Sequence, residues 1–210
     1  MSVFLKKKHD RIYPVSKVKE KQILPHCKNL KTTIYMTTYL IVPGLGNSGP
    51  DHWQSYFQDS GDNFQRIEQL EWNKPICEEW IAAIDKKVLE FDLSTVVLIG
   101  HSLGCTAIAH WASKFKRQIK GALLVAPSDL EAPQYTFPAA GFSPIPLDTI
   151  TFRTIMIASS DDIWVSLDRA RFFAQKWGSE FINIGKAGHI NVQSGYTNWN
   201  EGLEILKKIV

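Results

Sequence analysis

The stretch TVVLIGHSLGCTAIAHWASKF, Thr95 to Phe115, constrains the fold more than any other part of the chain. Its first residues, Val96 to Ile99, form an unbroken apolar run. Such a run reads as a strand buried on both faces, because a half-exposed strand would alternate apolar with polar. Two glycines around a serine follow at once, and behind them come small and apolar residues at helical spacing. A strand that needs cover on both sides and passes directly into a helix is the repeating unit of a parallel α/β sheet.

The rest of the sequence continues the alternation. TYLIVP, GALLVAP, RTIMIASS and EFINIG read as further strands, with FQRIEQL as a weaker one, which makes six. PDHWQSYFQD has helical spacing at Trp53, Tyr56 and Phe57. PICEEWIAAIDKKVLEF places Ile76, Trp80, Ile81, Ile84 and Val88 on one stripe, with Pro75 suited to the first turn. The helix after Ser102 is expected from about Leu103 to Phe115, and SLDRARFFAQKWG and NWNEGLEILKKIV supply two more. The expected architecture is α/β: about six mostly parallel strands, right-handed crossovers, and helices on both faces. The segment SDLEAPQYTFPAAGFSPIPLDTI, with its four prolines, is too irregular for a core element. It is expected to lie over the carboxyl edge of the sheet as a lid or pocket wall.

With 210 residues, 44% of them hydrophobic, the chain has material for one well-buried core. The formal net charge of +3 invites a search for an anionic partner, but the charge is unevenly placed. Residues 1–35 hold nine lysines and arginines against two acids, a balance of +7 that leaves the remaining 175 residues at −4. The expected organisation is therefore a flexible basic extension over 1–35 and a folded domain over 36–210, with Met36 as the natural start. Three widely spaced cysteines, Cys27, Cys77 and Cys105, show no ligand pattern, which points to a reducing compartment and no structural metal. No apolar run approaches the roughly 18 residues of a membrane span, and no signal-type apolar region follows the N-terminal lysines. The expectation is a soluble, cytoplasmic protein that binds neither nucleic acid nor membrane.

In parallel α/β sheets ligands sit at the carboxyl ends of the strands, so the polar residues just after each strand carry the functional reading. Gly100-His101-Ser102-Leu103-Gly104 is G-x-S-x-G between a strand and a helix. A serine on so sharp a turn is strained, and glycines on either side relieve the crowding of neighbouring backbone. The competing reading is a small residue that merely packs a turn. A nucleophile needs a base, and among six histidines His189, in GKAGHIN, stands in a loop after the last strand. His9 and His26 fall in the extension, His52 follows the first strand's loop, His110 is mid-helix, and His101 is expected to point away from Ser102. The order serine, acid, histidine is that of a hydrolytic triad. For the acid, Asp162 is preferred because it directly precedes Ile163-Trp164-Val165; Asp161 is second choice and Asp129, in VAPSD, third.

An oxyanion formed at Ser102 needs two N–H donors. Leu103 supplies one. Leu45 is the expected second, in PGLGNSGPDHW, where three glycines let backbone come close. That loop does not fit a phosphate-binding G-x-x-x-x-G-K-[ST] pattern. Asn47, His52, Trp53 and Trp164 are candidate pocket residues. The other tryptophans fit the core, and Cys105, inside the helix packing, has no partner as a nucleophile.

With these residues assembled, the chain resembles the retinoblastoma-binding protein 9 / YdeN-like serine hydrolase family. YLIVPGLGNSGPDHWQSYF, IGHSLGC, LLVAPSD, IASSDDIWVSLDRARFFAQKWGSEFINIGKAGHIN and SGYTNWNEGLEIL carry the resemblance, which spans Met36 to Val210. It implies a small α/β-hydrolase without a large cap domain, a triad of Ser102, Asp162 and His189, and no cofactor. The substrate class it implies is a small-molecule or peptide-like acyl ester, amide or thioester. The rival from another class is a protein-interaction module on a hydrolase scaffold, and the rivals among enzymes are a transferase or a perhydrolase.

Overall fold

Strand β3 (Val96–His101) is buried at every residue, as its sequence demands, and it lies inside the sheet. A computed structural model describes residues 36–210. The predicted extension 1–35, with His9, His26 and Cys27, lies outside the described residues. On one side β3 pairs with β1 (Thr38–Val42), which in turn pairs with β2 (Phe64–Arg66). On the other side follow β4 (Gly121–Val125), β5 (Arg153–Ala158) and β6 (Glu180–Asn183). The order is β2-β1-β3-β4-β5-β6 and every pairing is parallel. Register aligns Val42, Gly100, Leu124 and Met156, so the central strands end at one level.

The period of two along each strand divides the core into two layers. Leu40, Val42, Leu98, Leu124 and Met156 face a layer built with helices α2 (Cys77–Val88), α3 (Leu103–Phe115) and α4 (Leu167–Trp177). Ile41, Val97, Ile99, Leu123, Val125 and Ile157 face the opposite layer, covered by α1 (Trp53–Gln58), α5 (Asn200–Leu206) and the short 3-10 turn Lys207–Ile209. The six-stranded sheet with helices on both faces is thus the architecture that the alternation predicts, with α3 at its expected bounds.

One local expectation fails and another holds only in part. Helix α2 starts two residues after Pro75, because Ile76 is extended (φ −112°, ψ 121°) and belongs to a bridge with Ala140. The Cys77 N–H donates to the Ala140 carbonyl and the Ala140 N–H to the Pro75 carbonyl, which hold Ile76 out of the helix and exposed. That bridge also anchors the proline-rich connection between β4 and β5. Its backbone is irregular as expected, yet it is not a mere covering: Phe142, Ile145 and Ile150 are buried, and Phe142 packs edge-on against Trp80. Among the described residues no helix is long and apolar enough to cross a membrane.

Candidate active site

The turn from β3 into α3 places Ser102 at φ 56°, ψ −124°, a region that L-residues seldom occupy. The turn is that tight because α3 lies directly on β1: a Cβ on Gly104 would overlap the Val42 carbonyl oxygen. The Ser102 N–H donates to the Val125 carbonyl at 3.0 Å, which stitches the turn to the end of β4. The strain is held by the sheet on one side and the helix on the other.

His189 reaches this turn from the loop after β6. Its Nε2 lies 2.9 Å from Ser102 Oγ, and its Nδ1 lies 2.8 and 3.0 Å from the two carboxylate oxygens of Asp162. Asp162, in the turn after β5, has a fully buried side chain and also accepts the Trp164 N–H at 2.8 Å. A buried carboxylate with this set of donors is held in one orientation. With Nδ1–H committed to the carboxylate, a neutral imidazole leaves Nε2 as acceptor for the serine hydroxyl. This arrangement can take a proton from Ser102 and return it to a departing group.

Ser102 and His189 open on a cleft of about 680 Å³, with Asp162 buried behind them. One wall is polar, with Asn47, His52, Asn73, Asn191 and Gln193; the other carries Tyr135, Phe137 and Trp164. Those three rings meet edge to face, Phe137 against Trp164 at 5.2 Å and against Tyr135 at 5.8 Å. Burial raises the Tyr135 hydroxyl to about 12, so it stays protonated. Among the described residues no cluster of three or more His, Cys, Asp or Glu comes together to hold a metal ion.

Comparison with known proteins bears on this geometry. A sequence model of the serine hydrolase family matches residues 39–208. The chain belongs to the serine hydrolase family. The structure of a YdeN-like hydrolase from Pectobacterium atrosepticum is 34% identical to this serine hydrolase, covering 83% of this chain and 90% of that one, with a TM-score of 0.73. The ydeN gene product from B. subtilis shares the fold at 20% identity, over 83% of this chain and 98% of that one, with a TM-score of 0.69. Esterase 2 of Thermogutta terrifontis shares it at 17% identity, over 82% of each chain, with a TM-score of 0.58. No curated protein matches the chain.

Of the residues predicted from sequence, the structure brings Ser102, Asp162 and His189 together and sends the two rival acids elsewhere. Asp161 accepts from Ser159 Oγ at 2.7 Å and from the Gly188 N–H at 2.8 Å, and these bonds hold its carboxyl below the usual range. Asp129 pairs with Arg169 at 3.0 Å. Leu45 lines the cleft, and Leu103 is buried at the first position of α3; among the described residues neither N–H is used in a hydrogen bond. The Gly44 backbone is pressed against the serine, since a Cβ there would fall 2.8 Å from Ser102 Cβ. Asn47 and His52 line the cleft as expected, but their ring and amide atoms are partly engaged. The Asn47 Oδ1 accepts from Arg66 at 2.6 Å, and His52 caps α1 by accepting the Gln54 N–H.

Two expectations need correction. Trp53 does not line the cleft of this serine hydrolase. It is fully buried in the layer beneath, where its Nε1–H donates to the Ile190 carbonyl at 2.9 Å and supports the histidine loop from below. His101 does not point away from the site. As the residue two beyond Ile99 it faces the α1 layer, its Nε2–H donates to the His189 carbonyl at 3.0 Å, and its ring lies 5.0 Å from that of His189. Burial, with His189 and His52 nearby, drives the His101 pKa well below its ordinary value. Burial first, then Arg66 and His189, pushes His52 down to about 4. Sequence reading also missed Ser128, whose Oγ lies 2.8 Å from Ser102 Oγ. Its position just past a strand end, in VAPSD, was the available signal.

Proposed function

We propose that this serine hydrolase cleaves a small acyl ester or amide through an acyl-enzyme, with Ser102 as nucleophile, His189 as general base and acid, and Asp162 as the group that fixes the imidazole. The observation that carries the reading is the continuous set of contacts from Asp162 through His189 to Ser102 Oγ at the mouth of the cleft. His189 Nε2 takes the Ser102 proton as Oγ attacks the acyl carbon. The Leu103 and Leu45 N–H groups receive the oxyanion, aided by the positive end of α3. The imidazolium then protonates the leaving group, and water repeats the sequence to release the acid. The aromatic wall of Tyr135, Phe137 and Trp164 takes the apolar part of the acyl group, while the leaving group exits along the polar wall.

A panel of p-nitrophenyl esters of graded acyl length, read against Ser102→Ala, tests this. Turnover is expected for wild type, with a loss on the order of 10⁴ to 10⁶ in kcat for the variant. Equal rates for the two proteins on every ester and amide tried would overturn the reading.

A further inference from the structure

We propose that Ser128 is a second catalytic hydroxyl, one that donates a hydrogen bond to Ser102 Oγ whenever that oxygen carries negative charge. The inference rests on the acyl-transfer reading above and adds a group that neither the family match nor the triad includes. Ser128 lies three residues after β4 and is 2% exposed. Its Oγ is 2.8 Å from Ser102 Oγ, and among the described residues this is the only side-chain partner of the Ser128 hydroxyl.

The direction of the bond follows from the groups around it. The Asp162 carboxylate only accepts, so His189 Nδ1 carries the proton and Nε2 accepts from the Ser102 hydroxyl. The single proton of Ser102 is thereby committed. The proton between the two serine oxygens must come from Ser128.

The backbone fixes the donor in place. The chain turns sharply after β4 at Ala126, with φ 49°, and the Ala126 N–H donates to the Ile157 carbonyl at 2.8 Å. Thr106 Oγ1 donates to the Ser128 carbonyl at 3.4 Å, and the next N–H, of Asp129, donates to the Trp164 carbonyl at 3.0 Å. Ser128 is thus tied to α3 on one side and to the turn that carries Asp162 on the other.

The chemistry then balances as follows. In acylation the Ser102 proton passes to His189 Nε2, the Oγ–carbon bond forms and the carbonyl π pair moves onto oxygen; that pair then returns, the bond from carbon to the leaving group breaks, and the leaving group takes the proton from His189. Ser128 keeps its own proton and donates it to an Oγ that is becoming an alkoxide, where a hydrogen bond is strongest. Once Oγ is an ester oxygen it is a poor acceptor and the bond weakens. In deacylation water loses a proton to His189 as its oxygen bonds to the acyl carbon and the carbonyl π pair moves onto oxygen; when that pair returns the carbon–Oγ bond breaks, and Oγ leaves as an alkoxide that takes the proton back from His189. Ser128 meets the same developing charge a second time. A donor that binds Oγ more tightly in the acylation transition state than in the neutral serine, and more tightly in the deacylation transition state than in the acyl-enzyme, lowers both barriers.

The test is the second-order rate of inactivation by a fluorophosphonate, which reports attack by Ser102 alone. Wild type, Ser128→Ala and Ser128→Cys are compared from pH 6 to 9, with Ser102→Ala as the blank. Ser128→Ala is expected to react about ten- to a hundredfold more slowly, with Ser128→Cys, a weak donor, between it and wild type. The midpoint of the pH profile should stay at the wild-type position, because Ser128 acts on Oγ and leaves His189 untouched. Ser128→Ala within about twofold of wild type, or a loss accompanied by a moved midpoint, overturns the proposal. Should the alanine variant fail to fold, the cysteine variant decides, and a wild-type rate there overturns it. Either result leaves Ser102-dependent labelling intact, whereas wild type that takes no label at Ser102 removes the acyl-transfer reading itself.

Discussion

Single residues in this site are specified by where the strands end, and that is also what made some of them legible. Ser102 follows β3 at once, and Asp162 and His189 stand in the turns after β5 and β6, so chain order and the carboxyl-edge rule pointed to them. Asp162 was preferred to Asp161 only on the apolar residues that follow it, a thin ground, because neighbours in a turn point to opposite sides and the turn's path is set by contacts made elsewhere. The structure gives the two acids different duties, and substitution should separate them. Asp162→Asn is expected to lower kcat by about 10⁴, since the imidazole loses the group that fixes its tautomer. Asp161→Asn, whose amide oxygen accepts the Gly188 N–H more weakly than a carboxylate does, should cost about tenfold or less. The reverse ranking in steady-state kinetics would move the acid to Asp161. His101 was misjudged for a related reason: its orientation follows from the alternation through Val97 and Ile99, but its significance depends on which loop crosses that face.

At the scale of elements, the aromatic side of the cleft is held by a helix that does not line it. Arg169 of α4 donates to Asp129 at 3.0 Å and pairs with Glu131, whose carboxylate also accepts the Ile145 N–H at 3.0 Å. Its guanidinium lies over Phe173 at 4.5 Å, so the clasp is seated on the core. The residues it grips flank the stretch bearing Tyr135 and Phe137. Arg169→Ala is expected to lower stability by about 1 kcal/mol in urea unfolding, the pairs being partly exposed. It should also raise KM several-fold for long-acyl esters while leaving kcat for an acetyl ester within about twofold. An unchanged KM across the ester panel would show that the wall needs no clasp. The sequence allowed the wall to be anticipated from its prolines, but the apolar anchors Phe142 and Ile145 could not be, because an irregular backbone has no period to mark its buried side.

For the molecule as a whole, the buried histidines tie stability to pH. His52 and His101 have folded pKa values below the ordinary 6.5, His52 near 4, so the unfolded chain binds protons that the folded one refuses. Their contribution is complete above about pH 7 and is lost as pH falls from 6.5 towards 4; for His52 alone this amounts to on the order of 3 kcal/mol. Asp85 and Asp161, held below 3.8, lose theirs only at lower pH, so the interval between isolates the histidines. Urea midpoints should be clearly lower at pH 5 than at pH 7.5, and His52→Asn should reduce the difference, leaving the part due to His101; equal midpoints for wild type would refute the assignment. The parallel sheet was legible at this scale because strands alternate with helical segments along most of the chain, the proline-rich link from β4 to β5 being the exception. It also governs when the molecule can first act. Parallel neighbours lie far apart along the chain, and Ser102 and His189 are separated by 87 positions. The layer that carries His101 and Trp53 is closed by Trp199, Leu206 and Ile209. A chain leaving the ribosome thus presents its serine long before its histidine, and the histidine loop gains its floor only with the final turn. Hydrolytic power waits for the residues up to Ile209, which close the layer beneath the histidine loop.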